Sequence, residues 1–215
     1  MIPLQVRHRQ SWALRAAAVL GMATLILTAA CGSGGAGSGS ADVPALLTSA
    51  LADQVAGRTD QAVATYQKVL EQEPQNKVAF YNLGVIEQFA GRNENAEKNY
   101  RAALIADPNF SPALYNLAII RTGAGAKPEA IDLYRHVISL EPNNASAHLN
   151  LGFLLLDTGS PAAGAVELRQ AIALDPTLAS RVPAEALNGG GTATATATAT
   201  GATGTRATAT ATPAR

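Results

Sequence analysis

The chain has 215 residues, of which 47% are hydrophobic, 15% charged and 5% aromatic, so it is long enough to bury one sizeable core. Sixteen basic and sixteen acidic residues leave no net charge, which argues against a nucleic-acid partner. The single cysteine, Cys31, excludes a disulfide framework within the chain, and three scattered histidines, His8, His136 and His148, do not indicate a metal site.

The amino-terminal segment has the organisation of an export signal. Three arginines, Arg7, Arg9 and Arg15, precede an uncharged apolar run from Ala16 to Ala30. As a helix this run would span about 22 Å, whereas the hydrocarbon core of a bilayer is about 30 Å thick. Its length therefore favours the apolar region of a signal peptide over a permanent membrane span.

The residues around the cysteine extend this interpretation. The run from Leu27 to Gly32, LTAACG, places small residues before the cysteine and resembles the lipobox of bacterial lipoproteins, with Thr28 where leucine is commonest. The resemblance implies cleavage after Ala30, a diacylglycerol group on Cys31 and a location on the extracytoplasmic face of the bacterial cell membrane, periplasmic or extracellular. An ordinary secretory signal with a chance cysteine, or an uncleaved anchor, are the alternatives.

The ten residues after the cysteine predict a flexible tether. Residues 32–41 are almost entirely Gly, Ser and Ala, and such a linker spans about 16–19 Å. Two acyl chains anchor a protein stably where one is marginal. We therefore expect a signal peptide over residues 1–30, a lipidated cysteine and tether over 31–41, and a folded part that lies close to the membrane.

A period of 34 residues runs through the middle of the chain. Four columns of residues keep this period: a proline, a glycine, a small residue, and an aromatic residue or leucine. They are Pro74, Pro108, Pro142 and Pro176; Gly57, Gly91, Gly125 and Gly159; Ala62, Ala96, Ala130 and Gly164; and Tyr66, Tyr100, Tyr134 and Leu168. A constant period across unrelated residue types predicts a repeat architecture.

Each repeat is predicted to contain two helices. The first ends at the glycine, which can adopt the left-handed conformation that terminates a helix. The second begins on a cap such as Asn93 or Ser160, and it ends before Glu-Pro or Asp-Pro because proline disfavours helix in the preceding residue.

This pattern resembles the tetratricopeptide repeat over residues 43–178. The resemblance implies an all-α, right-handed superhelical solenoid of four repeats, at 43–76, 77–110, 111–144 and 145–178. Repeat 1 departs from the family pattern at Thr48 and Ser49, and repeat 4 departs at Gly164 and Leu168.

The composition changes again after the repeats. Residues 179–187 predict a short capping helix, which would leave part of the last repeat's apolar surface open. Residues 188–215 are Gly-rich and then alternate Thr and Ala; they lack the apolar bulk that offsets the entropy of ordering, so a disordered tail is predicted.

No combination of residues predicts catalysis. His148 falls in the column of Phe80 and Leu114 and is predicted to be a packing residue, with no serine or aspartate placed to pair with it. The Gly-rich stretch at 32–39 lacks the lysine of a phosphate-binding loop. We therefore expect no enzymatic activity, no cofactor and no metal.

The resemblance points instead to a binding groove. In tetratricopeptide arrays the first helices line a concave groove that binds an extended or helical peptide. Fourteen residues match the groove columns. Four of them are Leu47, Leu51, Val55 and Asp157, and the other ten form the predicted site in repeats 2 to 4: Tyr81, Asn82, Val85, Phe89, Tyr115, Asn116, Ile119, Leu149, Asn150 and Phe153. The groove lacks the lysine and arginine of the family's carboxylate clamp, so acidic carboxyl-terminal tails are not expected as ligands of that kind.

Three asparagines share one column of this groove, Asn82, Asn116 and Asn150. Asparagine is a poor helix former because its side chain competes for backbone hydrogen bonds. Two explanations are open: the repeat family favours asparagine there and duplication copied it, or the amides bond the backbone of a ligand.

Three functions compete at this point. We favour a lipid-anchored scaffold or adaptor that mediates protein–protein interactions at the bacterial cell envelope through its groove, without a nucleic-acid partner. The first alternative is a self-associating structural lipoprotein that forms a homodimer through its last repeat. The second is an accessory subunit of an envelope enzyme such as a glycosyltransferase.

Overall fold

The computed structural model describes residues 42–189. The predicted signal peptide, Cys31 with its tether, and residues 190–215 of the predicted tail lie outside the described residues. The described part consists of eight long α-helices that pack in consecutive pairs and a short carboxyl-terminal segment, which confirms the predicted all-α solenoid. The pairs are α1 (Val43–Val55) with α2 (Thr59–Gln72), α3 (Lys77–Phe89) with α4 (Asn93–Ala106), α5 (Ser111–Gly123) with α6 (Lys127–Leu140), and α7 (Ala145–Asp157) with α8 (Pro161–Leu174).

The turn inside each pair depends on glycine. The four periodic glycines have φ between +74° and +78°, the left-handed region that only glycine adopts without strain. In the first pair the amide of Arg58 donates to the carbonyl of Asp53 at 2.8 Å, so the chain reverses while the last turn of α1 stays bonded. The predicted positions of these helix ends are therefore confirmed.

Of the two predicted helix caps, Ser160 lies at the N-cap of α8 and Asn93 does not lie at the N-cap of α4. Asn93 is the first residue of α4, Arg92 is at its N-cap, and neither Arg92 nor Ser160 makes a side-chain cap bond. The side chains that do cap helices belong to Asn76 and Asn144, which accept from the amides of Ala79 and Ala147 at 2.9 and 3.0 Å. Each asparagine lies two residues after a periodic proline, at the end of the turn that leads into the next helix, where an N-cap residue fits.

Small residues let the two helices of each pair approach closely. A Cβ atom placed on Gly84 would lie 2.6 Å from the ring of Tyr100, and one on Gly164 would lie 2.7 Å from the carbonyl oxygen of Gly152. Around these contacts the periodic tyrosines and Leu168 are fully or almost fully buried. The spacing of small residues along the sequence therefore sets the distance between the helices that carry the candidate site.

The last repeat is covered by the segment that follows it. The structure has a 3-10 helix at Pro176–Arg181 and a four-residue helix, α9 (Ala184–Leu187), where the sequence predicted one short helix at 179–187. Leu178 and Val182 are buried against a cluster that includes Leu149, Leu168 and Ala171. Arg169 donates to the carbonyl of Leu187 at 2.6 Å and holds this segment on α8. Leu178 and Val182 thus cover part of the apolar surface of the last repeat within the chain.

Candidate functional site

The ten predicted groove residues all lie on α3, α5 and α7, the first helices of repeats 2 to 4. Phe89 is exposed. Six residues are half-buried: Tyr81, Asn82, Tyr115, Ile119, Asn150 and Phe153. Three predicted residues, Val85, Asn116 and Leu149, are buried, with exposed fractions of 6%, 6% and 2%. Val85 packs in the cluster of Tyr100 and Leu149 in that of Leu168, so these two belong to the core and are not accessible to a ligand.

Two of the half-buried groove residues are tyrosines held by aromatic packing. The ring of Tyr81 lies edge-on to Phe110 with the centroids 5.5 Å apart, and 5.9 Å from the ring of Tyr100. Tyr115 contacts Tyr134 at 5.9 Å in the same way. Rings fixed on two sides offer a ligand apolar area that needs little ordering on binding.

The asparagine column ties neighbouring repeats together. The amide nitrogen of Asn116 lies 3.4 Å from the hydroxyl of Tyr81 and 3.3 Å from that of Tyr100, both in the preceding repeat. The amide nitrogen of Asn150 donates to the hydroxyl of Tyr115 at 2.9 Å. The structure thus brings Tyr81 together with Asn116, and Tyr115 together with Asn150, across the repeat junctions.

Asn82 has a different hydrogen-bond partner because repeat 1 has a leucine where repeats 2 and 3 have a tyrosine. The position that holds Tyr81 and Tyr115 in repeats 2 and 3 is Leu47 in repeat 1. Without a tyrosine at this position, the amide of Asn82 donates to the carbonyl of Val78, one turn back in its own helix, at 2.9 Å. The column therefore has a structural use, the linking of repeats, that neither of the two sequence-based explanations included.

The tyrosine hydroxyls of this network stay neutral. The hydroxyl of Tyr100 donates to the side-chain oxygen of Gln88 at 2.7 Å, and that of Tyr66 donates to Gln54 at 3.0 Å. Burial raises the pKa of both tyrosines. Burial also raises the pKa of Tyr81, although the hydrogen bond from Asn116 opposes it. The network is a set of neutral hydrogen bonds and carries no charge for a ligand to meet.

Charged residues form a closed ring between repeats 2 and 3. Arg101 and Arg121 each contact both Glu97 and Glu129, at distances from 2.6 to 3.1 Å. The four residues come from α4, α5 and α6, so the ring joins three helices. Each acid lies between two arginines, which leaves the ring without net charge.

His148 has an acidic partner that sequence reasoning missed. It is buried as predicted, but its Nδ1 lies 2.6 Å from a carboxylate oxygen of Glu167, and its Nε2 lies 3.0 Å from the carbonyl of Pro142. The sequence contains one indication of this partner: Glu167 is the only charged residue at a repeat position that is otherwise occupied by Thr65, Asn99 and Leu133. The pair joins α7 to α8 in the last repeat.

Within residues 42–189 no group of three His, Cys, Asp or Glu side chains is placed to hold a metal ion. In the same residues no helix combines the length and hydropathy that a bilayer span requires.

Comparison with known proteins identifies the repeat. A tetratricopeptide repeat family model matches residues 56–118, and a second TPR repeat model matches residues 124–159. No curated protein matches the chain in sequence. Solved structures with a similar fold include the crystal structure of MamA, at 22% identity over 62% of this chain and 73% of that one, with a TM-score of 0.57.

Two further structures come from named organisms. MamA from Desulfovibrio magneticus RS-1 is 22% identical over 63% of this chain and 77% of its own, with a TM-score of 0.55. The pilF protein of Pseudomonas aeruginosa is 24% identical over 62% of this chain and 61% of its own, with a TM-score of 0.56. At these identities the likeness concerns the fold. The repeat suggests a scaffold for protein–protein interactions in a family that is generally non-enzymatic. The period, the helix pairs and both family matches agree that residues 56–118 and 124–159 of this chain are tetratricopeptide repeats.

Proposed function

We propose that the protein is a lipid-anchored scaffold that binds a protein or peptide partner in the groove of its first helices, at the extracytoplasmic face of the bacterial cell membrane. The observation that carries the proposal is a set of aromatic and apolar side chains on successive first helices, of which Phe89 is exposed and Tyr81, Tyr115, Ile119 and Phe153 are half-buried. Aromatic residues of this kind are enriched where proteins bind one another.

The anchor rests on the sequence before the array. Cys31 follows a run of small residues and precedes a tether of Gly, Ser and Ala that leads directly to α1 at Val43. Replacing Cys31 by serine should move the protein to the soluble fraction or leave it uncleaved. If a fatty-acid analogue fails to label the wild-type protein during growth, the lipid anchor is wrong.

The groove is tested by site-specific crosslinking. A photoreactive amino acid at Phe153, a half-buried position of α7, should capture the same partner band in membranes that a second probe at the exposed Phe89 captures. The matched control is a probe at Val166 on α8, which is also accessible but belongs to a second helix. Equal capture at Val166 and Phe153, or no capture at either groove position, would contradict a partner in the groove.

A further inference from the structure

The turns of repeats 1 and 2 expose an apolar residue and an arginine at matching positions. Val55 and Phe89 end α1 and α3 and are 69% and 63% exposed. Three residues later, beyond the glycine of each turn, the side chains of Arg58 and Arg92 are 53% and 54% exposed. We call these four residues the arginine edge.

The turns of repeats 3 and 4 lack this combination. Gly123 and Ala126 occupy the two positions in repeat 3, and Asp157 and Ser160 occupy them in repeat 4. All four turns share the same glycine geometry. The backbone of the turn therefore does not require an apolar residue or an arginine, and the arginine edge is a property of the first two repeats.

Each arginine of the edge is held from one side by an acid of its own helix pair. Nε and Nη2 of Arg58 lie 2.8 and 2.7 Å from a carboxylate oxygen of Asp53. Arg92 contacts Glu87 in the same manner through Nε and Nη2. Among residues 42–189 the hydrogen bonds of these two guanidinium groups use Nε and Nη2, and none uses Nη1.

This arrangement leaves the outer end of each guanidinium free. The group is planar and presents its donors in a fixed fork, so contact along the Nε side leaves Nη1 available to a second anion. The Glu87 carboxylate remains ionised because the hydrogen bond from Arg92 holds its pKa below the ordinary value. An arginine that is already oriented loses less side-chain entropy when it binds a further carboxylate.

We infer that the arginine edge binds a segment of a partner protein in which carboxylates alternate with large apolar side chains. The inference rests on the proposed function and names the chemistry of the partner. Val55 and Phe89 belong both to the edge and to the predicted groove columns, so the edge adds to those columns two guanidinium groups, each paired with an acid. The sequence-based expectation, drawn from the groove columns alone, did not include these arginines because they lie in the turns.

The net charge of the array favours a short segment over an anionic lipid surface. Residues 42–189 contain sixteen acidic and eleven basic residues, a net charge of −5. An extended anionic membrane would face more of this net negative charge than a short peptide would. A short peptide meets mainly the local charges, because exposed charges more than about 10 Å apart are screened at moderate salt.

The test uses the full chain in a non-ionic detergent and a short fluorescent peptide that alternates leucine and glutamate. Fluorescence anisotropy should show binding that the double variant Arg58→Gln with Arg92→Gln weakens by about tenfold or more, because two charge-assisted hydrogen-bonding sites are lost. The matched control is Lys68→Gln with Lys98→Gln, which removes the same charge from exposed positions of α2 and α4. This control should change the Kd less than about twofold.

The apolar half of the edge has its own control. Phe89→Ser should also weaken binding of the Leu-Glu peptide, whereas Ile105→Ser should not, although Ile105 is 78% exposed on α4. A peptide with lysine in place of glutamate should not bind. The pair Arg58→Lys with Arg92→Lys, which keeps the charge but not the fork, should bind more weakly than wild type even if the glutamine variant does not fold.

Three results would overturn the inference. The first is that the wild-type protein does not bind the Leu-Glu peptide, and the second is that the control Lys68→Gln with Lys98→Gln weakens binding as much as Arg58→Gln with Arg92→Gln does. The third is that the arginines bind anionic phospholipid vesicles in preference to the peptide. If the crosslinking probe at Phe153 still captures a partner while the arginine variants behave as wild type, the inference fails and the proposed function stands.

Discussion

The asparagine at the same repeat position has different hydrogen-bond partners at two junctions, the one between repeats 2 and 3 and the one between repeats 1 and 2. At the later junction Asn116 bridges two tyrosines of the preceding repeat, and the Arg–Glu ring adds a second polar link. At the earlier junction Asn82 bonds its own helix, and the contact is an apolar cluster in which Ala79 and Ile86 meet Tyr66 and Val69. One residue type at one repeat position therefore has two roles, and the preceding repeat decides between them.

The largest expected effect comes from removing the bridge at the later junction. Asn116→Ala should lower the free energy of unfolding by about 2–3 kcal/mol, because it deprives a buried tyrosine hydroxyl of a donor and leaves a small cavity. Asn82→Ala should stay within about 0.5 kcal/mol of wild type, since alanine is the better helix former and only a local bond is lost.

Urea unfolding of the full chain, followed by circular dichroism, measures both variants. If the two variants lose similar amounts of unfolding free energy, the stabilisation by these asparagines does not come from the bond to a tyrosine of the preceding repeat, and the two junctions do not differ in the way described.

An effect of intermediate size on stability is expected when a tyrosine partner is introduced for Asn82. Leu47→Tyr places a hydroxyl at the position that Tyr81 and Tyr115 occupy in the next two repeats, so Asn82 gains a partner of the kind that Asn116 and Asn150 already have. A double-mutant cycle of Leu47→Tyr with Asn82→Ala should give a coupling of about 1 kcal/mol. A coupling of zero would mean that the first junction is too wide for the bond.

The smallest effect concerns the Arg–Glu ring. Burial raises the pKa of Glu129, but the hydrogen bonds from Arg101 and Arg121 outweigh burial and hold the pKa below its ordinary value. Because the folded-state pKa is depressed, Glu129 contributes stability above the unfolded pKa of about 4.3 and loses it as the pH falls through the folded value. Glu129→Gln should cost less than about 1 kcal/mol at pH 7, and the cost should shrink on acidification and in high salt.

The matched control for the ring is Glu71→Gln, at an exposed position of α2 in repeat 1. We expect this change to leave the stability at pH 7 and its salt dependence unaltered. If Glu129→Gln behaves in the same way, the ring contributes no measurable link between repeats 2 and 3.

Local rules explain why the helix pairs were predictable. The end of each first helix depends on a glycine that can adopt positive φ, and the end of each second helix depends on a proline nearby in sequence. Both requirements involve neighbouring residues, so a period of 34 in the sequence determines the period of the fold. The error at this level, the N-cap at Asn93 in place of Arg92, arose in a run of polar residues that could each serve as the cap.

The candidate site was predictable only in part. The repeat register placed all ten groove residues on first helices, but it did not show that Val85, Asn116 and Leu149 are buried. Their burial depends on the neighbouring elements: Val85 packs in the cluster of Tyr100 and Leu117, Asn116 bonds two tyrosines, and Leu149 is covered by the segment that carries Leu178.

The sequence by itself determined the fold class, the helix ends and the helices that carry the groove, because backbone conformation at glycine and proline and the spacing of small residues act within one repeat. The tertiary structure decided which side chains meet: Asn116 with Tyr81, His148 with Glu167, and the two edge arginines with their acids. These partners lie between five and 35 residues apart, and whether they come within hydrogen-bonding distance depends on how the helices stack, a property of the packed array that no single repeat contains.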